Sequence, residues 1–323
     1  MNPTTTTIAV IGTGVIGNGW IARFLAHGFH VIACDPADGA EEKTRSTVMS
    51  LWPKLKENGM HDDSSIDKLT FTTNITDAVS DAALVQENVP EREDIKRSVL
   101  AQIDEHAPAE AIIASSTSGY KPTTLQTDCT HHPERVIVAH PFHPVYLLPL
   151  VELSGGEQTT SAEMERAQAI YELAGMKPLA MKGEVDGHIA DRLMEALWRE
   201  ALHIVNDGHA TTEEVDKAIV YGAGLRWALM GPFLTFHLAG GDKGMTHMLE
   251  QFGPALKAPW TKLEAPELTP ELSEKVIEGT KEQSGDKSVA ELEERRDEFL
   301  LKLMNLLHEG SYWPAEKVES HDR

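Results

Sequence analysis

The sequence predicts an α/β chain: a mostly parallel sheet domain over residues 1–186, then an all-helical domain over residues 187–323. Three observations predict it. Short Val/Ile-rich runs alternate with helical stretches through the first half, a glycine-rich turn joins the first run to the first helix, and the β signal stops near residue 187. Strands alternating with helices imply a parallel sheet covered on both faces. At roughly 150 residues per domain, the 323 residues correspond to about two domains with ample core.

"TIAVIG" (7–12) is the first strand, "VIGNGWIARFLAHG" (15–28) has helical apolar spacing, and "HVIACD" (30–35) is the second strand. Later strands are expected at 83–87, 111–115, 135–140, 148–154 and 177–181, with helices over 40–59, 91–106 and 161–175. In the second half, residues 188–208 form a long amphipathic helix closed by Asp207-Gly208. Residues 211–222 open on threonine caps with early acids, which begins another helix. Further helices are expected near 232–253, 269–283 and 287–308. The segment 254–270, with four prolines, reads as a loop, and 312–323 as a loose tail.

The composition, 41% hydrophobic and 25% charged, is that of an ordinary globular protein. Lys and Arg number 29 against 51 Asp and Glu, a net charge of -22, so nucleic acid and anionic membranes are repelled. No run of 18 uncharged apolar residues and no basic, apolar leader is present, so a cytoplasmic protein with no membrane partner is expected. Cys34 and Cys129 cannot build a disulfide scaffold, and sparse cysteine fits a reducing compartment.

Gly12, Gly14 and Gly17 form G-x-G-x-x-G between a strand and a helix. The first makes the tight turn, the second admits a pyrophosphate, and the third lets helix and strand pack. Asp35 closes the next strand 18 residues after Gly17, where a carboxylate takes ribose hydroxyls and repels a 2′-phosphate. The first domain is therefore expected to be Rossmann-type and to bind NAD rather than NADP. A ligand-free glycine turn, with Asp35 as a strand-end cap, is the bland alternative.

Two further patterns bear on chemistry. His140 ends a strand, and Glu152 lies 12 residues on, near the end of the next. A histidine held by a carboxylate suits removal of a hydroxyl proton during hydride transfer. Spacing alone leaves a satisfied loop histidine equally open. "IIASSTSGY" puts Ser115, Ser116, Thr117 and Ser118 at a strand's carboxyl end, where open α/β sheets bind ligands. A turn or helix cap explains them as well.

Together, "IGTGVIGNGWIARFLAHGFHVIACD", "VQENVPERED", "SSTSGY", "HPFHP…PLVELS", "HIADRLMEALWREA" and "GLRWALMGPFLTFHLAGGD" resemble, in order and spacing, the 3-hydroxyacyl-CoA dehydrogenase superfamily over nearly the whole chain. The resemblance implies His140 as general base, Glu152 as its orienting partner and Ser118 as the active-site serine. It implies Asn88, Glu91 and Lys96 as NAD contacts, and a homodimer formed through the helical domain, which also closes over substrate.

Departures fall at substrate-facing positions. Acyl-CoA members carry Asn-Thr-Ser-Ser where this chain has Ser116-Thr117-Ser118-Gly119, and His-Phe-Phe-Asn-Pro where it has His140-Pro141-Phe142-His143-Pro144. They carry asparagine at Asp191, beside Arg192. His-Pro-x-x-Pro with downstream Pro-Leu-Val-Glu, plus Arg226 ahead of "MGP", leans to the branch that takes free hydroxy acids, and the resemblance of "HPFHPVYLLPLVELS" and "GPFLTFHLAGGDKGM" within that branch implies one with a cationic head. A quaternary ammonium offers no N–H, so aromatic faces or carboxylates must hold it. Tyr120, Phe142, Tyr146, Trp198 and Trp227 are the aromatic candidates and Asp191 the acidic one; each also has an ordinary packing or capping explanation. Arg226 could clamp the substrate carboxylate or bridge subunits, and His143 could bind substrate or stand in for the asparagine. His140 and His143 are too few for a metal, and the chemistry needs none. An L-gulonate-type or acyl-CoA dehydrogenase, or an NAD-binding structural protein, are the other readings.

Overall fold

The computed structural model describes residues 2–58, 60–258, 260, 261 and a scattered set of positions between 269 and 306. Its first strand, β1 (Thr7–Ile11), has four consecutive buried residues, which is why it reads as a continuous apolar run. The chain continues through α1 (Val15–Ala26), β2 (His30–Cys34), α2 (Ala40–Asn58), β3 (Leu69–Thr72), α3 (Ile75–Val79), β4 (Leu84–Glu87), α4 (Glu93–His106), β5 (Ile112–Ser115), α5 (Pro122–Gln126), β6 (Val136–Pro141), β7 (Leu150–Gly155), α6 (Ser161–Leu173) and β8 (Lys177–Ala180).

These strands form one eight-stranded sheet in the order β3-β2-β1-β4-β5-β6-β7-β8. Every neighbouring pair is parallel except β6 with β7. The order reverses between β1 and β4, opening a crevice at their carboxyl ends, Ile11 and Glu87. The core has two layers, because successive strand residues face opposite sides. Ile8 and Val10 pack with Trp20, Phe24 and Tyr171 on one face; Ala9 and Ile11 pack with Leu100 and Ile103 on the other. Trp20 stacks on Phe24 at 5.2 Å and meets Tyr171 at 5.4 Å.

Three short elements escape the sequence reading. β3 is a four-residue edge strand with one buried side chain, so it carries no apolar run. α3 and α5 have five residues each, too few to show a helical period; Asn74 caps the first, and Pro122 opens the second.

The chain divides into two compact units, Met1–Leu193 and Met194–Arg323. α7 (Ala190–Asn206) ends before Gly208, whose φ of +72° closes it. α8 (Thr212–Ala218) starts on a full capping box between Thr211 and Glu214 and runs on through one π turn into α9 (Gly224–Trp227). The single helix expected over 232–253 is two, α10 (Pro232–Ala239) and α11 (Gly244–Phe252). Gly241 and Gly244, at φ of +62° and +55°, break it. The helices expected at 269–283 and 287–308 lie largely outside the described residues, and the tail wholly so. Among the described residues, no helix is long and apolar enough to cross a membrane.

Candidate active site

The glycine turn is built for close approach. Gly12 has φ of +87°, and a Cβ there would sit 2.7 Å from the Asn88 carbonyl oxygen. A Cβ on Gly17 would lie 2.0 Å from the Gly12 carbonyl oxygen, so α1 can pack on the turn only with glycine. Gly14 has nothing within 4 Å of its Cβ position and caps α1 without a side-chain hydrogen bond. The first amides of α1 are thus free to meet an anion. Beside them the Asn18 Oδ1 atom is buried without a partner. These features fit a dinucleotide pyrophosphate.

Asp35 closes the same corner. Its Oδ2 accepts from the Thr13 N–H and hydroxyl, both at 2.9 Å, and its Oδ1 accepts from the Ala37 N–H at 3.0 Å. Burial pushes the carboxyl up, but these bonds and nearby Lys43 together hold it below the usual carboxylate range. Asp35 therefore stays charged at the corner of the glycine turn.

The second cluster comes from the antiparallel step in the sheet. β6 and β7 pair so that His140 stands directly opposite Glu152. The His140 Nδ1–H donates to Glu152 Oε2 at 3.2 Å. The other carboxylate oxygen accepts from the Ile189 and Ala190 N–H groups, each at 2.9 Å. Glu152 is fully buried; burial pushes its carboxyl up, and the bonds from His140, Ala190 and Ile189 bring it below its ordinary value. His140 Nε2 faces Asp191 Oδ2 at 3.5 Å, and Phe142 meets the ring edge-on at 5.8 Å. The cluster can orient an imidazole with Nε2 free to take a proton.

Residues 7–185 match the NAD binding domain of 3-hydroxyacyl-CoA dehydrogenase, and residues 187–285 match its C-terminal domain. The chain belongs to the 3-hydroxyacyl-CoA dehydrogenase family.

As a member of the 3-hydroxyacyl-CoA dehydrogenase family, it is an NAD-dependent oxidoreductase. It is 62% identical to an L-carnitine dehydrogenase of Oceanobacillus iheyensis, over 95% of this chain and 99% of that protein. It is 60% identical to an L-carnitine dehydrogenase of Bacillus cereus, over 97% of this chain and 95% of that one. Among solved structures, a 5-formyl-3-hydroxy-2-methylpyridine 4-carboxylic acid 5-dehydrogenase, an NAD+ dependent dismutase, superposes with a TM-score of 0.72 at 28% identity, covering 94% of this chain and 98% of that one.

The remaining sequence-predicted residues are placed as follows. Asn88, at the switch point, has its amide fixed: Nδ2 donates to the Gln86 carbonyl at 2.9 Å, and Oδ1 accepts from the Ser116 hydroxyl at 2.7 Å. Ser116 in turn accepts from Gln86 and from the Trp20 indole. Lys96 is 1% exposed, and its ammonium is taken up by Glu87, Glu91 and the Val89 carbonyl. The other oxygen of Glu91 accepts from the Thr117 hydroxyl. Ser118 follows on the exposed turn after β5.

Of the substrate candidates, Phe142 and Asp191 join His140 and Glu152. Tyr146 and exposed His143 instead line a cavity of about 200 Å³ with Gly14, Lys43 and Thr47. Tyr120 is half-buried against the core face that holds Leu100. In the second unit, Trp198 and Trp227 are exposed, and Arg226 lines a cavity of about 130 Å³ with Met230, Thr235 and Leu238. The sequence reading missed His188, which stacks on His140 with ring centroids 4.9 Å apart. A lone histidine after a glycine gives no signal at sequence level.

Proposed function

We propose that the protein oxidises the 3-hydroxyl of L-carnitine to 3-dehydrocarnitine, with His140 as base. The observation that carries the substrate is Asp191, 3.5 Å from His140 Nε2, in a chain 60–62% identical to proteins named L-carnitine dehydrogenase. With Nδ1–H committed to Glu152, the Nε2 lone pair faces a carboxylate, so two acceptors oppose each other. A substrate hydroxyl donating to Nε2, with a cation beside Asp191, relieves that opposition. L-Carnitine carries its trimethylammonium one carbon from the carbinol, which suits both at once.

In the reaction, the hydroxyl proton passes to His140 Nε2, the C–O bond becomes a carbonyl, and the C3 hydrogen leaves with its electron pair. NAD+, when bound, supplies the acceptor for that hydride. Glu152 stabilises the imidazolium through Nδ1. Gly12, Gly14 and Gly17 admit the pyrophosphate, Asp35 takes the adenosine ribose, and Asn88 and Glu91 line the same crevice, with Lys96 holding Glu91. Ser118 binds the reacting oxygen, and Phe142 offers its face to the ammonium head.

The helical domain, from residue 187, forms a homodimer. The exposed Leu193, Met194, Leu197, Trp198 and Leu202 of α7 support such an interface. Light scattering that returns a monomer overturns that part. A cytoplasmic location agrees with this chemistry.

The test is NADH formation at alkaline pH with L-carnitine, D-carnitine, L-gulonate and L-3-hydroxybutyryl-CoA in parallel. Activity on L-carnitine alone is expected. Activity on gulonate or the CoA ester with none on carnitine overturns the substrate and leaves the base reading standing.

A further inference from the structure

His188 breaks two local rules. It is a non-glycine residue at φ of +50°, directly after Gly187 at +71°. A left-handed conformation at a histidine is strained and persists where the surroundings enforce it. Its ring is 4% exposed, yet Nδ1 is buried without a partner. Such a pair of costs with no local compensation points to a role at a site.

The ring's contacts define that role. His188 Nε2 lies 3.2 Å from the Thr117 carbonyl oxygen. A carbonyl only accepts, so the hydrogen is on Nε2, and Nδ1 is the bare nitrogen. The ring plane is 25° from that of His140, at 4.9 Å. Protonation would place a new N–H on the buried, unpartnered Nδ1. Burial lowers the basicity of His188, and the neighbouring charge on His140 lowers it further, which agrees with a bare Nδ1.

We propose that His188 is a positioning residue: a neutral strut that ties the Thr117 carbonyl, one residue before Ser118, to the ring face of His140. The inference rests on the reading of His140 as the base. The Glu152 bond fixes the His140 ring in its own plane but leaves its tilt free. Stacking on His188 fixes the tilt from one face, and Phe142 restrains it at 5.8 Å. Because the strut ends on the residue before Ser118, it also sets the spacing between the base and the serine turn. A phenylalanine would stack as well; only a donor at the Nε2 position holds the turn.

Three variants separate these parts. His188→Phe keeps the stacking ring and loses the donor. His188→Gln puts an amide N–H near the imidazole Nε2 position. His188→Asn keeps tolerance of the left-handed backbone but is too short to reach Thr117. Each is assayed for kcat and KM on whichever hydroxy acid of the four the wild-type protein turns over, for NADH affinity by fluorescence, and for Tm, beside His140→Ala. His188→Phe and His188→Asn should lose about tenfold in kcat, the worth of one positioning hydrogen bond, with NADH affinity within about twofold. His188→Gln should return to within about threefold of wild type. Wild-type kcat in His188→Phe, equal losses in the Phe and Gln variants, or losses that track Tm overturn the strut. Retained turnover in His140→Ala instead overturns the base reading, and a wild-type chain that turns over none of the four overturns both.

Discussion

Asp191→Asn tests the substrate reading most directly, because it keeps the side-chain shape and removes only the charge. Asp191 Oδ2 lies 3.5 Å from His140 Nε2, the nitrogen proposed to take the hydroxyl proton. A trimethylammonium one carbon from that hydroxyl, if paired with the carboxylate, is taken at about 5 Å, within the range of charge pairing. At an effective dielectric of about 20, a pair of unit charges at that distance is worth about 3 kcal/mol. The Asp191 side chain is 34% exposed, so solvent and salt reduce this to about 1–2 kcal/mol. The expected loss is therefore about 5–30-fold in kcat/KM for L-carnitine, most of it in KM. The assay compares L-carnitine with its neutral carbon isostere, in which a tert-butyl group replaces the trimethylammonium. Wild type should prefer the cation, and Asp191→Asn should erase most of that preference. Raising the salt concentration should weaken the wild-type preference and leave the variant's unchanged. An equal loss on both substrates would refute the argument, because Asp191 would then be acting on His140 rather than on the cation.

Three other outcomes follow from the geometry. His140→Ala should lower kcat by about 10²–10⁴ with NADH affinity preserved, and near-normal turnover removes His140 from the role of base. Gly17→Ala places a methyl 2.0 Å from the Gly12 carbonyl oxygen, so NADH binding by fluorescence titration should be lost and Tm should fall; unaltered affinity would show that the turn can yield. Asp35 and Glu152 both have carboxyls held below their ordinary values, so their contribution to stability is complete above the usual carboxylate range and is lost as pH falls through their depressed values. Urea midpoints measured downward from neutral pH should drop less steeply in Asp35→Asn than in wild type, and parallel curves would contradict this.

The sequence revealed what rests on strong local pattern. The strand, glycine turn, helix, strand and acid at Thr7 to Asp35 were legible because each residue type answers a local constraint: two-sided burial, positive φ at Gly12, a close approach at Gly17. The His140–Glu152 pair was legible only as a spacing. What joins the two is the antiparallel register of β6 and β7, a long-range fact with no local signature. Lys96 was legible only as a cofactor contact that the resemblance implies, whereas Glu87, nine residues earlier and buried in β4, draws it inward. β3 and the break at Gly240–Lys243 were missed for related reasons, since one lacks an apolar run and the other is a short turn within a continuous apolar pattern.

Glu152 explains why His140 and the start of α7 are linked. A carboxylate has two oxygens with room for several donors, and here one serves the His140 ring while the other serves two successive amides, Ile189 and Ala190, at the N-terminus of α7. Those amides would otherwise be unsatisfied donors at a helix start, and the helix dipole favours the negative charge placed there. The two amides hold Oε1, which turns Oε2 toward His140 and fixes the tautomer that leaves Nε2 bare. His188 and Asp191, on either side of those two amides, are thereby carried to the face and to the Nε2 edge of the same ring. One buried carboxylate thus sets His140, its stacking partner His188 and the acidic Asp191 beside its Nε2. The short segment from Gly187 to Asp191 therefore contributes contacts around the His140 ring, as does the strand that carries Glu152.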